Sequence, residues 1–271
     1  MKSLVALLIL ITIPILSLSS DYRKRAHHVE AETYGREDVE AEVMFGRELA
    51  VKIVGTYPLL RDRELTMYVN KIGKYMALYS NRPEVEFRFG ILNTDHVNAY
   101  SAPGGYIFIT KGCLMLVKDE SELAGILAHE IAHVSERHIV KELNIRGESV
   151  VGLGGLSALL SGPAGTVEKT LSVFLDQAYE LLFSKGYKMQ QEYDADRIAT
   201  EMLYLAGYDP HALKRFLQRI GNSEYRDQMQ KTHPGISDRV VALDKFLSTN
   251  NLREDDGKRF EKRFVRMVRF K

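Results

Sequence analysis

The stretch GILAHEIAHVSERH, Gly125 to His138, places three histidines and two glutamates in an otherwise apolar segment. Apolar positions recur through it with helical spacing, so His129 and His133, four residues apart, lie one turn above each other on one face. Two imidazoles placed in this way can converge on one zinc ion, and Glu130 beside them is suited to act as a general base. The pattern predicts a helix that carries half of a metal site and needs a third ligand.

A second predicted helix offers that ligand. The segment QEYDADRIA carries Glu192, with Asp196 one turn further along the same face. Glu192 would complete a His, His, Glu set with a fourth position open to water, which is the composition of a catalytic zinc site. Asp196 would then accept the outer N–H of a ligand histidine, with His129 as the expected donor, and fix its tautomer.

The neighbouring polar residues receive no ligand role. Asp194 should point away from Glu192 around the helix, and Glu136 follows His133 too closely to turn toward the metal. Both are expected to be solvated surface charges. His138 lies five residues past His133, off the ligand face, and is expected to be a hydrogen-bonded structural histidine.

A site of this composition is expected to hydrolyse peptide bonds. Bound zinc would lower the pKa of a water molecule to about 7 and polarise a carbonyl oxygen. Glu130 would take the proton and later pass it to the departing amine.

The remainder of the chain predicts helices around a small sheet. Helical spacing covers residues 30–55, and Asp62 is expected to cap a second helix. Alternating and β-branched residues predict strands in VEFRFGILN (85–93) and GYIFIT (105–110). The Pro-Gly-Gly turn within NAYSAPGG, residues 98–105, is expected to join these two strands as a hairpin.

The composition favours a globular protein without a nucleic acid partner, because 37 basic and 36 acidic residues give 271 residues a net charge of only +1. A basic residue, an apolar run from Leu4 to Leu16 and small residues after it predict a signal peptide over residues 1–19. An uncleaved N-terminal anchor is the alternative. Residues 20–271 are then expected to form one domain, without an internal disulfide because Cys113 is the only cysteine.

Two further segments stand out. The glycine-rich segment 150–165 is expected to be a flexible lid or loop. The tail, residues 258–271, carries seven basic residues among apolar ones. We expect it to form a terminal helix or strand that packs one apolar face, with weak contact to an anionic membrane surface as the alternative.

Several motifs together resemble one enzyme family. They are NAYSAPGGYIFITKG, ELAGILAHEIAHVSERH, QEYDADRIA, AGYDP and HPGISDR. This set is similar to the zinc metallopeptidases related to HtpX and the CAAX prenyl protease, peptidase family forty-eight, over roughly Glu42 to Arg239. The resemblance implies a mostly helical, zincin-like (gluzincin) α+β domain with a small β-sheet and an exposed edge strand. It points to the compact soluble periplasmic branch.

The resemblance also implies roles for single residues. His129, His133 and Glu192 correspond to zinc ligands, Glu130 to the catalytic acid/base and Asp196 to the supporting carboxylate. The segment from residue 98 to 110 resembles an edge strand that pairs with extended substrate, and its substrate-binding candidates are Asn98, Ala99, Tyr100, Pro103, Gly104 and Gly105.

Two further catalytic candidates rest on the resemblance alone. His233 and Arg239 match positions near the cleft, either as a gating histidine or as a transition-state stabiliser. A capping or structural role for His233 remains equally open.

The expected function is therefore a zinc endopeptidase that cleaves unfolded or damaged exported proteins in the periplasm or at the outer side of the inner membrane. The alternative is a latent or chaperone-like zinc protein of envelope quality control, whose cleft is gated by residues 150–165.

Overall fold

The computed structural model describes residues 36–143 and 164–269, so the expected signal peptide and residues 150–163 of the expected lid lie outside the described residues. The described chain is mostly helical with one small sheet, which confirms the α+β prediction. The helices are α1 (Arg36–Thr56), α2 (Arg63–Ala77), α3 (Lys111–Leu116), α4 (Glu120–Ser135), α5 (His138–Glu142), α6 (Ala164–Glu180), α7 (Met189–Leu205), α8 (Ala212–Gly221), α9 (Arg226–Gln230), α10 (Ile236–Thr249) and α11 (Glu261–Met267). The strands are β1 (Arg88–Leu92), β2 (Ala99–Ala102) and β3 (Tyr106–Thr110).

The sheet corrects the hairpin expected from the sequence. Its strand order is β1-β3-β2, with β1 parallel to β3 and β2 antiparallel to β3. The hairpin therefore joins β2 to β3, through a turn over Pro103–Gly105 in which Gly104 has φ 70°. The residue pattern alone missed β2, which the family resemblance implied, because three of its four residues, in AYSA, are small and have little β-propensity.

Helix α4, which carries the metal motif, lies at the centre of the fold. All 16 of its residues are buried, including the polar ones that form the candidate metal site. The Asp119 side chain caps it by accepting a hydrogen bond from the Glu122 N–H (2.9 Å). Helices α2, α7 and α8 and the strand β2 surround it, so its histidines are held in the interior.

Helix α1 packs directly on the turn that joins β2 to β3. A Cβ atom at Gly46 would lie 1.7 Å from the Pro103 carbonyl oxygen, and one at Gly104 would lie 2.5 Å from the Val43 Cα. The backbone of α1 is therefore in direct contact with the backbone of the turn, with no side chain between them. This contact fixes the turn beside the metal helix.

The basic tail forms α11, which buries one apolar residue, Phe264, and leaves its charged residues exposed, as expected. Among the described residues, no helix combines the length and the apolar composition needed to span a membrane.

The packing of α1 predicts opposite effects for two substitutions on the same helix. Gly46→Ala should destabilise the protein by about 1–3 kcal/mol, because the added methyl overlaps the Pro103 carbonyl. Gly55→Ala is the matched control, since nothing lies within 4 Å of its new methyl. It should stabilise by about 0.4–1 kcal/mol. Urea unfolding measures both, and equal stabilisation by the two would contradict the contact.

Candidate metal centre and active site

Helices α4 and α7 bring the three predicted ligands together. His129 Nε2 lies 3.0 Å from His133 Nε2, and each lies 3.5 Å from a carboxylate oxygen of Glu192. Zinc bonds of about 2.0–2.1 Å in a tetrahedron separate ligand atoms by about 3.3 Å. The three side chains are at most 4% exposed. Their spacing and chemistry therefore fit a zinc ion.

His233 brings a fourth possible donor to the same point. It precedes α10, and one of its ring nitrogens belongs to a set of four donor atoms, with those of His129, His133 and Glu192, that lie within 4.8 Å of one another. Its Nδ1 is 3.2 Å from Glu192 Oε1, and its Nε2 is 3.4 Å from the Ala99 carbonyl oxygen. His233 thus lies at the centre of the site, between the ligands and β2.

Glu130 lies beside this set and is 1% exposed. Its Oε1 is 3.8 Å from His233 Nε2, while its Oε2 has no hydrogen-bond partner among the described residues. A cavity of about 30 Å³ lies next to it, lined also by His129 and Arg239. This volume is enough for a water molecule, which needs roughly 10–15 Å³ on the same measure. The carboxylate is thus free to bind the proton of a water or a substrate.

Asp196 lies against His129, and Arg239 lies against Asp196. The Asp196 Oδ1 lies 2.9 Å from His129 Nδ1. Arg239 donates from Nε and Nη2 to the two Asp196 oxygens, both at 2.7 Å, and its Nη1 lies 2.5 Å from Glu192 Oε2. The guanidinium is 2% exposed. It therefore holds a ligand carboxylate and a supporting carboxylate at once.

These contacts set the charges of the site. Burial favours the neutral acids, but the Arg239 charge outweighs it and lowers the pKa of Glu192 and Asp196 below their ordinary values. Burial likewise lowers the pKa of His133. Burial also opposes the charged form of His129, yet its hydrogen bonds to Asp196 and Glu192 raise its pKa to about 9. Both carboxylates and His133 are therefore in the deprotonated form that ligation requires, whereas His129 would release a proton on binding a metal.

His138 supports the other ligand histidine, and the sequence did not reveal this role. Its Nδ1 lies 2.8 Å from His133 Nδ1, and both rings are buried. If His133 binds a metal through Nε2, its Nδ1 would carry the proton and donate it to His138. His138 therefore contacts the outer nitrogen of His133 in the same way that Asp196 contacts the outer nitrogen of His129.

His138 is a buried, hydrogen-bonded histidine outside the donor set, as expected, but helical periodicity did not reveal its partner because α4 ends before reaching it. Helix α4 stops at Ser135, and Arg137 adopts the left-handed conformation, with φ 53°, which turns the chain back toward His133. Arg137 is paired with the buried Glu42 at 3.2 Å. A non-glycine residue in this conformation is uncommon, and sequence spacing alone gives no signal for it.

A second unpredicted neighbour is Tyr187, whose ring stacks on His133 with centroids 3.9 Å apart and an interplanar angle of 17°. Tyr187 is 5% exposed. It lies in the segment between the π-helical turn Leu181–Lys185 and α7. The stack covers one face of the ligand ring and limits its rotation.

The expected substrate segment lies next to the site. The Asn98 carbonyl accepts a hydrogen bond from the Thr110 N–H (3.0 Å), and the Asn98 side chain donates to Thr232 Oγ1 (3.0 Å). Because backbone groups alternate along an antiparallel strand, those of Ala99 and Ser101 point away from β3. The Ala99 carbonyl accordingly faces His233.

The edge strand is not exposed, in contrast to the expectation from the sequence. All four residues of β2 are buried, and so is the turn Pro103–Gly105. The ring of Phe183, in the π-helical turn, stacks on Tyr100 with centroids 4.4 Å apart. Helix α1 covers the turn, where the Gly104 N–H donates to Glu42 Oε1 (3.2 Å). These neighbours, which are distant in sequence, explain the burial.

The chain is similar to known peptidases over the part that carries this site. The model of peptidase family M48 matches residues 63–247. The β-barrel assembly-enhancing protease of Escherichia coli (strain K12) is 27% identical over 184 residues, covering 66% of this chain and 37% of that protein. The mitochondrial metalloendopeptidase OMA1 of Schizosaccharomyces pombe is 29% identical over 214 residues, covering 76% of this chain and 60% of that protein. The chain thus spans less than two thirds of the length of these relatives.

The contact between the two histidines predicts a loss of metal affinity when His138 is removed. His138→Ala should weaken zinc binding by about 10–100-fold, the usual effect of removing a group that orients a ligand. His96→Ala is the control, because His96 lies between β1 and β2, outside the four-residue set. Competition with a chromophoric chelator measures both affinities. Unchanged affinity in His138→Ala would contradict the assigned role.

Proposed function

Because the chain belongs to peptidase family M48, we propose that it is a zinc metalloendopeptidase that hydrolyses peptide bonds in unfolded or damaged exported proteins. The observation that carries this proposal is the convergence of His129, His133 and Glu192, with the Glu130 carboxylate beside them. Three protein ligands and a neighbouring general base are the composition of a catalytic site.

Each residue of the site has a separate role in the proposed reaction. When bound, zinc would supply a Lewis acid and lower the pKa of a water molecule. Glu130 accepts the proton of the attacking water and donates it to the leaving amine, and its unpartnered Oε2 supports this role. Asp196 and His138 hold the two ligand imidazoles in the tautomers that the metal requires.

The substrate is proposed to bind as an extended chain along β2. The outward backbone groups of Ala99 and Ser101 offer main-chain hydrogen bonds of the kind used in strand addition. Asn98, Tyr100 and the turn Pro103–Gly105 would act by holding this strand, since all of these residues are buried. Substrate access would then require displacement of the neighbours that now cover the strand.

Arg239 is proposed as a positioning residue. Its three donor nitrogens lie against Asp196 and Glu192, so its charge keeps both carboxylates ionised. His233 is placed differently, because it lies between the ligands, Glu130 and the Ala99 carbonyl.

The proposed location is the periplasm, or the outer side of the inner membrane, following the leader expected from residues 1–19. The proposed partners are polypeptide substrates and not nucleic acids. The names of the relatives connect one with β-barrel assembly and the other with mitochondria; neither role is transferred to this chain.

The proposed mechanism predicts that Glu130→Gln lowers kcat on casein by about 100-fold or more, because a general base contributes about 10²–10⁴-fold. The variant should keep one zinc ion per chain, since Glu130 is not in the ligand set. Glu136→Gln is the matched control, immediately after the end of α4, and should keep full activity. A chelator should stop the reaction and added zinc restore it. Undiminished turnover in Glu130→Gln would refute the mechanism.

A second candidate function is a latent form of the same peptidase. It is favoured by the four-donor arrangement, because sites with four protein ligands are closed, whereas catalytic sites keep an open position. With His233 as the fourth donor, the position needed by water would be occupied. The expected gating segment 150–165 lies almost entirely outside the described residues, so His233 is the group through which latency is proposed.

Latency predicts that His233→Ala raises the rate of casein hydrolysis several-fold, because three ligands remain and the fourth position opens. His211→Ala is the control, since this histidine contacts the Leu252 carbonyl and is not in the donor set. Zinc content and kcat are measured together. A fall in kcat with zinc retained would instead assign His233 a role in stabilising the transition state.

A further inference from the structure

A large cleft lies away from the metal site. It is formed by α2, α11, the start of α4 and the end of α7, and has a volume of about 1000 Å³. Its floor includes Glu120, which is nine residues before His129 and so about 14 Å away along the α4 axis. None of the four metal-site donors lines it. The volume is at the upper end of the roughly 300–1,000 Å³ range of ligand pockets.

The walls of the cleft are apolar and reach the surface. Ile72 lies at its floor and is buried, while Met67, Tyr75 and Phe260 are 48%, 41% and 37% exposed. Side chains of this size and exposure around one concave surface are unusual for a protein face that meets only water.

The rim of the cleft is cationic. Four cations, Lys71, Lys258, Arg263 and Arg266, line it against two carboxylates, those of Glu64 and Glu120. Arg263 is paired with Glu120, through Nε to Oε2 at 2.5 Å. Within residues 36–143 and 164–269, the other three cations form no ion pair. They are exposed and free to bind an anion.

The one acid in the floor does not repel an anion, because its charge is compensated. The Glu120 carboxylate accepts hydrogen bonds from the hydroxyls of Tyr68 and Tyr208, both at 2.7 Å, in addition to the Arg263 pair. It is 1% exposed. An approaching ligand therefore meets the rim charges, where three unpaired cations outnumber the one exposed carboxylate, that of Glu64.

We propose that this cleft binds an anionic phospholipid, with an acyl chain against Ile72 and Tyr75 and the phosphate at Lys71, Lys258 and Arg266. An apolar chain joined to an anionic head complements an apolar floor beneath unpaired cations. None of the lining residues belongs to a strand, and the isolated bridge between Tyr208 and Lys258 is too short to pair with an extended peptide. The lipid would hold the protein at an anionic membrane surface, and this inference does not depend on the proposed peptidase activity.

Charge reversals on two helices test the head-group site. The purified protein, in the form that cells produce, is sedimented with phosphatidylcholine vesicles with and without phosphatidylglycerol. Lys71→Glu combined with Arg266→Glu should weaken binding to the anionic vesicles by tenfold or more, since each basic residue near such a surface contributes about fivefold.

The matched control is Lys74→Glu combined with Lys262→Glu. These exposed residues lie on the same two helices and outside the cleft. The control should weaken binding clearly less than the rim variant. Equal losses in the two double variants would mean diffuse attraction to the basic surface and would overturn the proposed site.

A monomeric lipid tests the acyl-chain site. Dihexanoyl phosphatidylglycerol below its micelle concentration should bind with one molecule per chain in titration calorimetry. Ala206→Phe, which fills the cleft, should abolish this binding, with thermal unfolding recorded as the check of folding. The proposal is wrong if the unaltered protein binds no monomeric lipid, or if it binds an acidic amphipathic peptide in the cleft instead.

Discussion

The site depends on the buried guanidinium of Arg239. Two carboxylates, Glu192 and Asp196, lie one helical turn apart with almost no contact with water, and neither would remain ionised there alone. Arg239 contacts both and is supplied by α10, a helix that carries no other proposed site residue. Removing one partner of such a buried ion pair typically costs about 3–5 kcal/mol. The metal ligands of α4 and α7 are thus tied to the packing of a third helix.

A second buried ion group, centred on Glu42, joins the site to the substrate strand. Glu42 is paired with Arg82 at 3.0 Å and with Arg137 at 3.2 Å, and it also accepts the Gly104 N–H. Arg82 in turn donates to the Val134 carbonyl near the end of α4. One side chain of α1 therefore fixes the end of the metal helix, the left-handed turn that places His138, and the β2–β3 turn.

The sequence predicted the parts of the site that repeat with helical periodicity. His129, His133, Glu192 and Asp196 lie on continuous helices, where a four-residue spacing determines the shared face, and the structure places them together. The prediction failed where the chain leaves regular structure. The contact of His138 with His133 forms beyond a helix end, three of the four residues of β2 are small, and the ring that covers β2, Phe183, lies more than eighty positions further along the chain. The position of Arg239 against the carboxylates depends on tertiary packing, which spacing does not encode.

The four donor residues are spread over more than a hundred positions, from His129 on α4 to His233 before α10. Bringing such distant segments together costs chain entropy, and the burial of the packed core offsets this cost. A nascent polypeptide that has not yet emerged past position 233 cannot assemble the full set. The ion pairs of Arg239, which keep both site carboxylates ionised, form later still, so the complete site appears only when synthesis of the domain is nearly finished.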